Sequence, residues 1–561
     1  MTEVMPQPIR RRDREAQAVQ AVGRRPSDIE RRPWESAAVF ALFALAYTAI
    51  GGWLVVQRHV VGFEALDRLN RTLMVWHNDP PKLAAVGFDH APLSTLLLAP
   101  LTVVPALARS LWVVPLASAL FAAGTMTSLN TLLRRALLPA PLRAGVLLAL
   151  GANPLVVWYA ASGAREFVWL SFAVAGIGAL VAWYVTADVR FVMIAGLCFA
   201  VGTLTGYGTL AFFGIGVALV AGVLGRLGAG SDEVEGTTVG FATPAVYVVA
   251  LWTAFNLLLL GDPIAWVTGQ HQSTGLPAGE ILGATLRLVV DGAPLALVVL
   301  PALVVVGVAR RNALALGLAG MLAVAIAAPA VAAWLHLTDE PLHLRNAVAV
   351  LLLAVVGGVW LARALEEQGR LVAGGLVAAL LVSIPWTFHT MRTYPYQDLE
   401  SVAVAAVTDG DQEGATAMSG AAVGIADEQE MAAWIRAHVT RRGSILTDNA
   451  QTFGVMLLTG RPDLFDDRVD AGDAAWSAAA HDPAGHVDLL LLSRDTSRDL
   501  LSRLYPAAAA GTDPALVPVM TTDRYVLVGV PATYVRPDDA PVLDTTAADA
   551  ASTASTAGAT S

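Results

Sequence analysis

The sequence predicts a polytopic α-helical membrane protein, with about 11 transmembrane helices followed by a small C-terminal extracytoplasmic α/β domain. Three observations predict it. Hydrophobic residues make up 55% of the 561 and charged residues only 15%, with mean hydropathy +0.58, far from the balance of a water-soluble globule. Apolar runs of about 17–25 residues, enough to cross a bilayer, recur along the first two thirds of the chain. From about Tyr394 the composition turns soluble, with short strand-like runs between helical stretches.

The chain opens on a polar, Arg-rich stretch, residues 1–36, with Arg10, Arg11, Arg12, Arg24, Arg25, Arg31 and Arg32. It is too long a lead for a cleaved signal peptide and reads as a cytoplasmic tail before an uncleaved first helix. Spans fall near 37–57, 110–133, 144–163, 167–186, 190–206, 207–227, 239–260, 287–309, 313–335, 346–364 and 370–388. The positive-inside rule places the tail, Arg134, Arg135, Arg143, Arg190, Arg226, Arg310, Arg311, Arg363 and Arg370 on the cytoplasmic side. Eleven crossings satisfy all of them. The apolar stretch 91–107, broken by Pro92, Pro100 and Pro105, would invert every later loop if it crossed. It is expected to be an interfacial or re-entrant helix on the outer face.

On that topology the polar residues gather on one side. The richest loop is 58–92, with Glu64, Asp67, Arg68, Arg71, His77, Asp79, Asp89 and His90; charges held in hydrocarbon cost several kcal/mol each, about 3 on insertion scales, so this loop leaves the membrane. The turns around 153–166, 205–208 and 261–263 and the loop 336–345 lie on the same side. Residues 391–426 read as a linker, 427–536 as the α/β domain and 537–561 as a disordered tail. In the domain, Asp427 is a plausible N-cap of a helix. Strands are expected at 444–447, 487–492, 517–520 and 525–530, and helices near 450–458 and 495–504.

Composition excludes some classes. One cysteine, Cys198, allows neither an internal disulfide nor a thiolate metal cluster. The net charge of −10 comes from acids in the last third, and nucleic acid is not an expected partner. No cofactor and no metal site are indicated.

In loop 58–92, Arg68 follows Glu64 and Arg71 follows Asp67 by one helical turn. A carboxylate and a guanidinium on one helix face suit a general base and a phosphate-holding cation. The same spacing suits a solvated amphipathic helix with surface ion pairs. Asp89 and His90 offer an additional acid or phosphate contact, or a simple proline turn. Asp262 in Gly-Asp-Pro fits a turn former. Glu166 suits a helix N-terminus whatever its chemistry. Arg345 opens a span at the end where the dipole disfavours a cation, so an anion, with a lipid phosphate the natural candidate, is expected beside it. Asp448-Asn449 follows a short strand, as at a ligand-binding switch point or an ordinary strand-end turn.

Glu64-Ala65-Leu66-Asp67-Arg68 with Val86-Gly87-Phe88-Asp89-His90-Ala91-Pro92-Leu93 resembles the "DAxSR … IGF..NPL" pattern in the first outer loop of bacterial GT-C glycosyltransferases, which use polyprenyl-phosphate sugars and include protein mannosyltransferase and aminoarabinose transferase relatives. Asn153-Pro154 and Tyr159-Ala160-Ala161-Ser162-Gly163-Ala164-Arg165-Glu166 are similar to its "NP…YAxxGxSE", and Trp252, Asn256 and Gly261-Asp262-Pro263 to its "W…N…GDP". The likeness covers about 37–390. It implies a polyprenyl-phosphate sugar as donor and a cell-envelope glycan, lipid or protein as acceptor, at the plasma membrane. It also implies Glu64 as the loop acid, Glu166 as the second acid and Arg68 as the motif arginine; Arg68, with Arg345 or Arg165, is then expected to hold the donor phosphate. Two departures stand out: Glu64 is longer than the usual Asp, and Thr205-Gly206-Tyr207-Gly208 stands where the family often has "TRYE". A transporter or flippase and a catalytically inactive scaffold of the same fold are the alternatives.

Overall fold

The computed structural model describes residues 32–87, 91–268, 278–335, 342–396, 399–408, 425–469, 474–496 and 499–536. Its membrane half is a helical bundle. Eight helices are long and apolar enough to span: Pro33–Gln57, Val113–Arg135, Glu166–Thr186, Thr209–Arg226, Ser231–Leu260, Ala313–Trp334, Asn346–Ala364 and Glu366–Thr393. Two further expected spans are each a bent pair, Ala140–Gly151 with Pro154–Ala161 (69°) and Gly279–Gly292 with Leu295–Ala309 (100°). The remaining one, Arg190–Thr205, is apolar but shorter. Every apolar run of the sequence is therefore helical, but 144–163 and 287–309 are not straight spans. The breaks have local causes: proline follows at 154 and 294, where its ring cannot continue the preceding helix but fits the first turn of the next.

The stretch after residue 91 does not form a spanning helix. It folds as three one-turn helices, Leu93–Leu96, Ala99–Thr102 and Pro105–Arg109, in keeping with prolines at 92, 100 and 105. Within a bilayer, apolar burial gives helices little reason to associate, so close backbone approach through small residues carries more of the packing. The first span illustrates this: a Cβ at Gly51 would stand 2.3 Å from the Ala161 carbonyl oxygen. That approach brings the first helix against the end of Pro154–Ala161, just before the Ser162–Arg165 turn.

Three features differ from expectation in the C-terminal third. The supposed linker contains a helix, Glu400–Thr408, whose Glu400 is fully buried and accepts a short hydrogen bond from the Tyr159 hydroxyl; residues 409–424 lie outside the described residues, as do 1–31 and 537–561. Asp427 is not the N-cap. Ile425 occupies that place, and Asp427 accepts from the Arg524 backbone N–H at 3.0 Å instead. The sheet has a fifth strand, Phe465–Asp467, too short to show alternation.

That sheet comprises β1 Ile445–Thr447, β2 Phe465–Asp467, β3 Leu489–Ser493, β4 Pro518–Thr521 and β5 Tyr525–Gly529, in the order β2-β1-β3-β5-β4. β2, β1 and β3 are parallel, while β5 runs antiparallel to β3 and β4 to β5. β3 is the uninterrupted run Leu489–Leu492, as expected of a central strand covered on both faces; Leu490, Leu491 and Leu492 are fully buried. One face packs on Trp476, Leu501 and Tyr505. The other shares a core with the Phe63–His77 helix, including Leu66, Leu69 and Leu73 with Met431, Ile435 and Met456.

Candidate active site

Four segments distant in sequence place their charged side chains at one end of the bundle. The first is the Phe63–His77 helix, which starts after Gly62 and ends before Asn78 and Asp79. It is amphipathic all round: Leu66, Leu69 and Leu73 are buried, and Glu64 and Arg68 lie one turn apart on the face toward the bundle. The second is the turn 162–165. Here Asn153 caps the start of Pro154–Ala161 by accepting from the Leu155 N–H at 3.1 Å, and it donates to Ser383 and Thr387, both at 3.1 Å. This fixes Pro154–Ala161 and hence the direction in which the chain enters the turn. Gly163 has φ +82°, and a Cβ there would come within 2.1 Å of Val114, so no other residue fits without displacement. Its carbonyl accepts from Arg68 and its N–H donates to Ser118.

The third and fourth segments are the helix starts at Glu166 and Asn346. Arg165 Nε is 3.1 Å from Glu64 Oε1, and Arg345 Nη1 is 3.2 Å from Glu64 Oε2. Arg68 Nε lies 3.8 Å from Glu64, and Arg345 lies 3.7 Å from Glu166. The structure thus brings Glu64, Arg68, Arg165, Glu166 and Arg345 into one cluster of three guanidiniums and two carboxylates, a surplus of one positive charge. Two carboxylates, Glu64 and Glu166, lie beside Arg345. They offset the unfavourable end of the Asn346–Ala364 helix dipole.

Exposure separates the members. Side chains of Arg68, Glu166 and Arg345 are 9%, 7% and 12% exposed, whereas Glu64 and Arg165 are 36% and 42% exposed. Glu64 is therefore the acid a bound molecule can reach, and Glu166 lies behind Arg345. Asp67 is apart from the cluster, bonded to Arg71 at 2.7 Å. Asp89 and His90 lie outside the described residues. Among the described residues no group of three or more His, Cys, Asp or Glu is arranged to hold a metal.

Gly206 and Gly208 sit in a turn lined by aromatics. Tyr207 accepts from Trp252 Nε1 at 2.8 Å and packs near Trp266, and a Cβ at Gly206 would press on Trp169 at 3.0 Å. Asp262 forms the expected turn, accepting from the Ile264 N–H at 2.9 Å. Asp448 follows β1, where the connections of β1 and β3 diverge, but the crevice is filled: Asp448 accepts from the Leu500 N–H at 2.6 Å, pairs with Arg468 at 3.4 Å and is 5% exposed. Glu400, under the Tyr159 that leads into the turn, was not legible as a site neighbour, because the Val/Ala-rich run around it resembles linker composition.

Neither a family model nor a curated relative matches the sequence. Solved structures do match in fold over nearly the whole chain. ArnT from Cupriavidus metallidurans bound to undecaprenyl phosphate superposes with TM-score 0.55 at 16% identity, covering 90% of this chain and 100% of that one. The apo state of the same protein gives 0.55 at 13% identity, with 89% and 99% covered. At such identities it is the architecture that is shared. Over nearly its whole length this chain is therefore a multi-pass membrane protein with the fold of those ArnT structures.

Proposed function

We propose that the protein transfers a sugar from a polyprenyl-phosphate donor to a cell-envelope acceptor at the outer face of the plasma membrane. The observation that carries this reading is the cluster itself: an accessible carboxylate, Glu64, within 3.1–3.2 Å of Arg165 and Arg345, at the bundle end of a fold shared with a protein crystallised with undecaprenyl phosphate. In the transfer, the acceptor oxygen forms a bond to the anomeric carbon as the carbon–oxygen bond to phosphate breaks. The electron pair leaves on the phosphate, and the acceptor proton passes to Glu64. Attack opposite the departing phosphate inverts the anomeric centre.

Arg165 and Arg345 hold the donor phosphate, with Arg68, anchored on the Gly163 carbonyl, as the fixed third cation. A departing phosphate gains negative charge, and guanidiniums already in place stabilise it without reorganisation. Glu166 keeps Arg345 charged and oriented. Arg165 and Arg345 supply the positive charge that the glycines at 206 and 208 do not, which favours a rewired site over an inactive scaffold. Gathering of charge at one end of the bundle weighs against a transporter, whose ionisable groups lie near the membrane centre.

The test is turnover of radiolabelled polyprenyl-phosphate sugar by purified protein with envelope extract as acceptor. Wild type is expected to transfer and Glu64→Gln not; full activity in that variant removes Glu64 as the base. Sidedness is read by placing a cysteine at Ser110 in a Cys198→Ala background: labelling by an impermeant maleimide in intact cells supports the outer face, and labelling only after lysis overturns it.

A further inference from the structure

The Phe63–His77 helix has two working faces. One carries Glu64 and Arg68 into the charged cluster. The other meets the α/β domain: Phe63 stands edge-on to Phe453 with ring centroids 4.2 Å apart, and Asn70 donates to Asn449 at 3.3 Å. Asn449 takes up a positive φ of 65°, which turns its side chain back from β1 onto this helix, where it also meets Met74 Sδ at 3.7 Å. Beyond the helix end the contact tightens. Asn78 donates to Asp467 Oδ2 at 2.8 Å, and Lys82, the sole lysine of the sequence, reaches Asp467 Oδ1 at 3.4 Å. Asp467 is the last residue of β2, and its side chain is fully buried. Outside this buried contact, Arg442 pairs with Asp79 at 3.1 Å.

A buried carboxylate is costly without good partners, and both polar partners named for Asp467 come from the first loop rather than from its own domain. The sheet edge is thus built to receive residues 78–82. From these contacts we infer that Asp467, with Lys82 and Asn78, is a positioning clamp: it ties the C-terminal domain to the loop helix and so holds Glu64 and Arg68 in register with Arg165 and Arg345. The domain is then part of the active-site frame, in addition to any part it takes in choosing the acceptor. The catalytic consequence rests on the transferase reading; the mechanical one does not.

Two measurements on the full-length purified protein test it. In the first, amide exchange over residues 63–77 is compared among wild type, Asp467→Asn, Lys82→Met and the double variant. Exchange is expected to rise about tenfold in each single variant and no further in the double, as for two halves of one contact, with β1 and β3 still protected. Unchanged exchange in the helix overturns the clamp, and so does loss of protection in β1 and β3, which marks an ordinary structural role. In the second, transfer kinetics of Asp467→Asn and Lys82→Met are expected to show kcat lowered about tenfold or more, with donor KM within about twofold, because a misplaced base slows the chemical step while two phosphate ligands stay on other helices. Lys82→Arg should restore kcat. Unaltered kcat overturns the positioning role. The exchange response in the variants together with no transfer of any donor by wild type supports the clamp and removes the transferase reading.

Discussion

Two of the acid-and-arginine clusters among the described residues, one at the bundle end and one in the α/β domain, are built in opposite ways. At the bundle end, Glu64 and Arg165 remain over a third exposed, and the cations bind carboxylates from other segments. In the α/β domain, Asp448 and Asp499 are buried and bonded to backbone: Asp448 to the Leu500 N–H and Asp499 to the Ser502 N–H at 2.7 Å. Burial, and next the neighbouring Asp448, push the Asp499 carboxyl up to about 8 against the hydrogen bonds from Ser502. A carboxylate whose partners are long, movable side chains can exchange one of them for a substrate phosphate. One whose partners are backbone amides of its own fold holds a loop in place. The sequence shows the same residue types in both.

The largest effect that sharpens this contrast is at Glu64. Glu64→Gln preserves shape and exposure but removes the proton acceptor. Transfer is expected to fall at least about a hundredfold, within the usual range for a lost general base, in protein that remains folded. The matching change in the buried cluster reverses the pattern. Asp448→Ala leaves Arg468 and the Leu500 N–H without their buried acceptor and should cost about 3 kcal/mol of domain stability, read from exchange of β1 and β3 amides. Loss of transfer in Asp448→Ala should follow the fraction unfolded and no more; a specific kinetic defect in folded protein would erase the distinction.

A pH series gives the next effect. Asp499 titrates near 3.8 when unfolded and about 8 in the fold, so between these values the unfolded chain binds fewer protons than the native one. Stability of the α/β domain should therefore fall as pH rises through this window, by at most about 1.4 kcal/mol per unit for one group, and level off above about 8. Asp499→Asn keeps an N-cap acceptor and should flatten the profile, gaining most relative to wild type near pH 8. A slope unchanged in the variant would mean that Asp499 does not titrate across this window.

Much of this architecture is legible in the sequence. Hydropathy marks each span because every lipid-exposed backbone must close its hydrogen bonds within a helix. Helix ends are less legible. Ser231–Leu260 begins eight residues before its apolar run, where Asp232 and Glu233 favour the start of a helix, and the 100° bend at residues 293–294 needed the proline there to be weighted against a continuous apolar run. Residue types at the candidate site and their gathering on one side were readable, but not which of them touch. Arg345 is 281 positions from Glu64, and only the fold brings the two together. Glu400 and the Asp467 contact with residues 78–82 carried no local signal, since each depends on a partner hundreds of residues away.

The smallest predicted effect is the most discriminating, because Asp67–Arg71 repeats the Glu64–Arg68 spacing on the same helix. Spacing cannot rank the two pairs. The structure does so by rotation: Glu64 and Arg68 face Arg165, Arg345 and the Gly163 carbonyl, while Asp67 and Arg71 pair with each other at 2.7 Å, 25% and 41% exposed. A pair this open is screened by solvent and contributes a few tenths of a kcal/mol at most, about that of other i,i+4 pairs. Asp67→Asn is therefore expected to leave transfer within about twofold of wild type and stability within about 0.5 kcal/mol. If Asp67→Asn instead abolished transfer while Glu64→Gln was tolerated, the acid that takes the proton would be the one outside the cluster. The Arg165–Glu64–Arg345 cluster would then belong with the buried carboxylates of the α/β domain, as a structural contact.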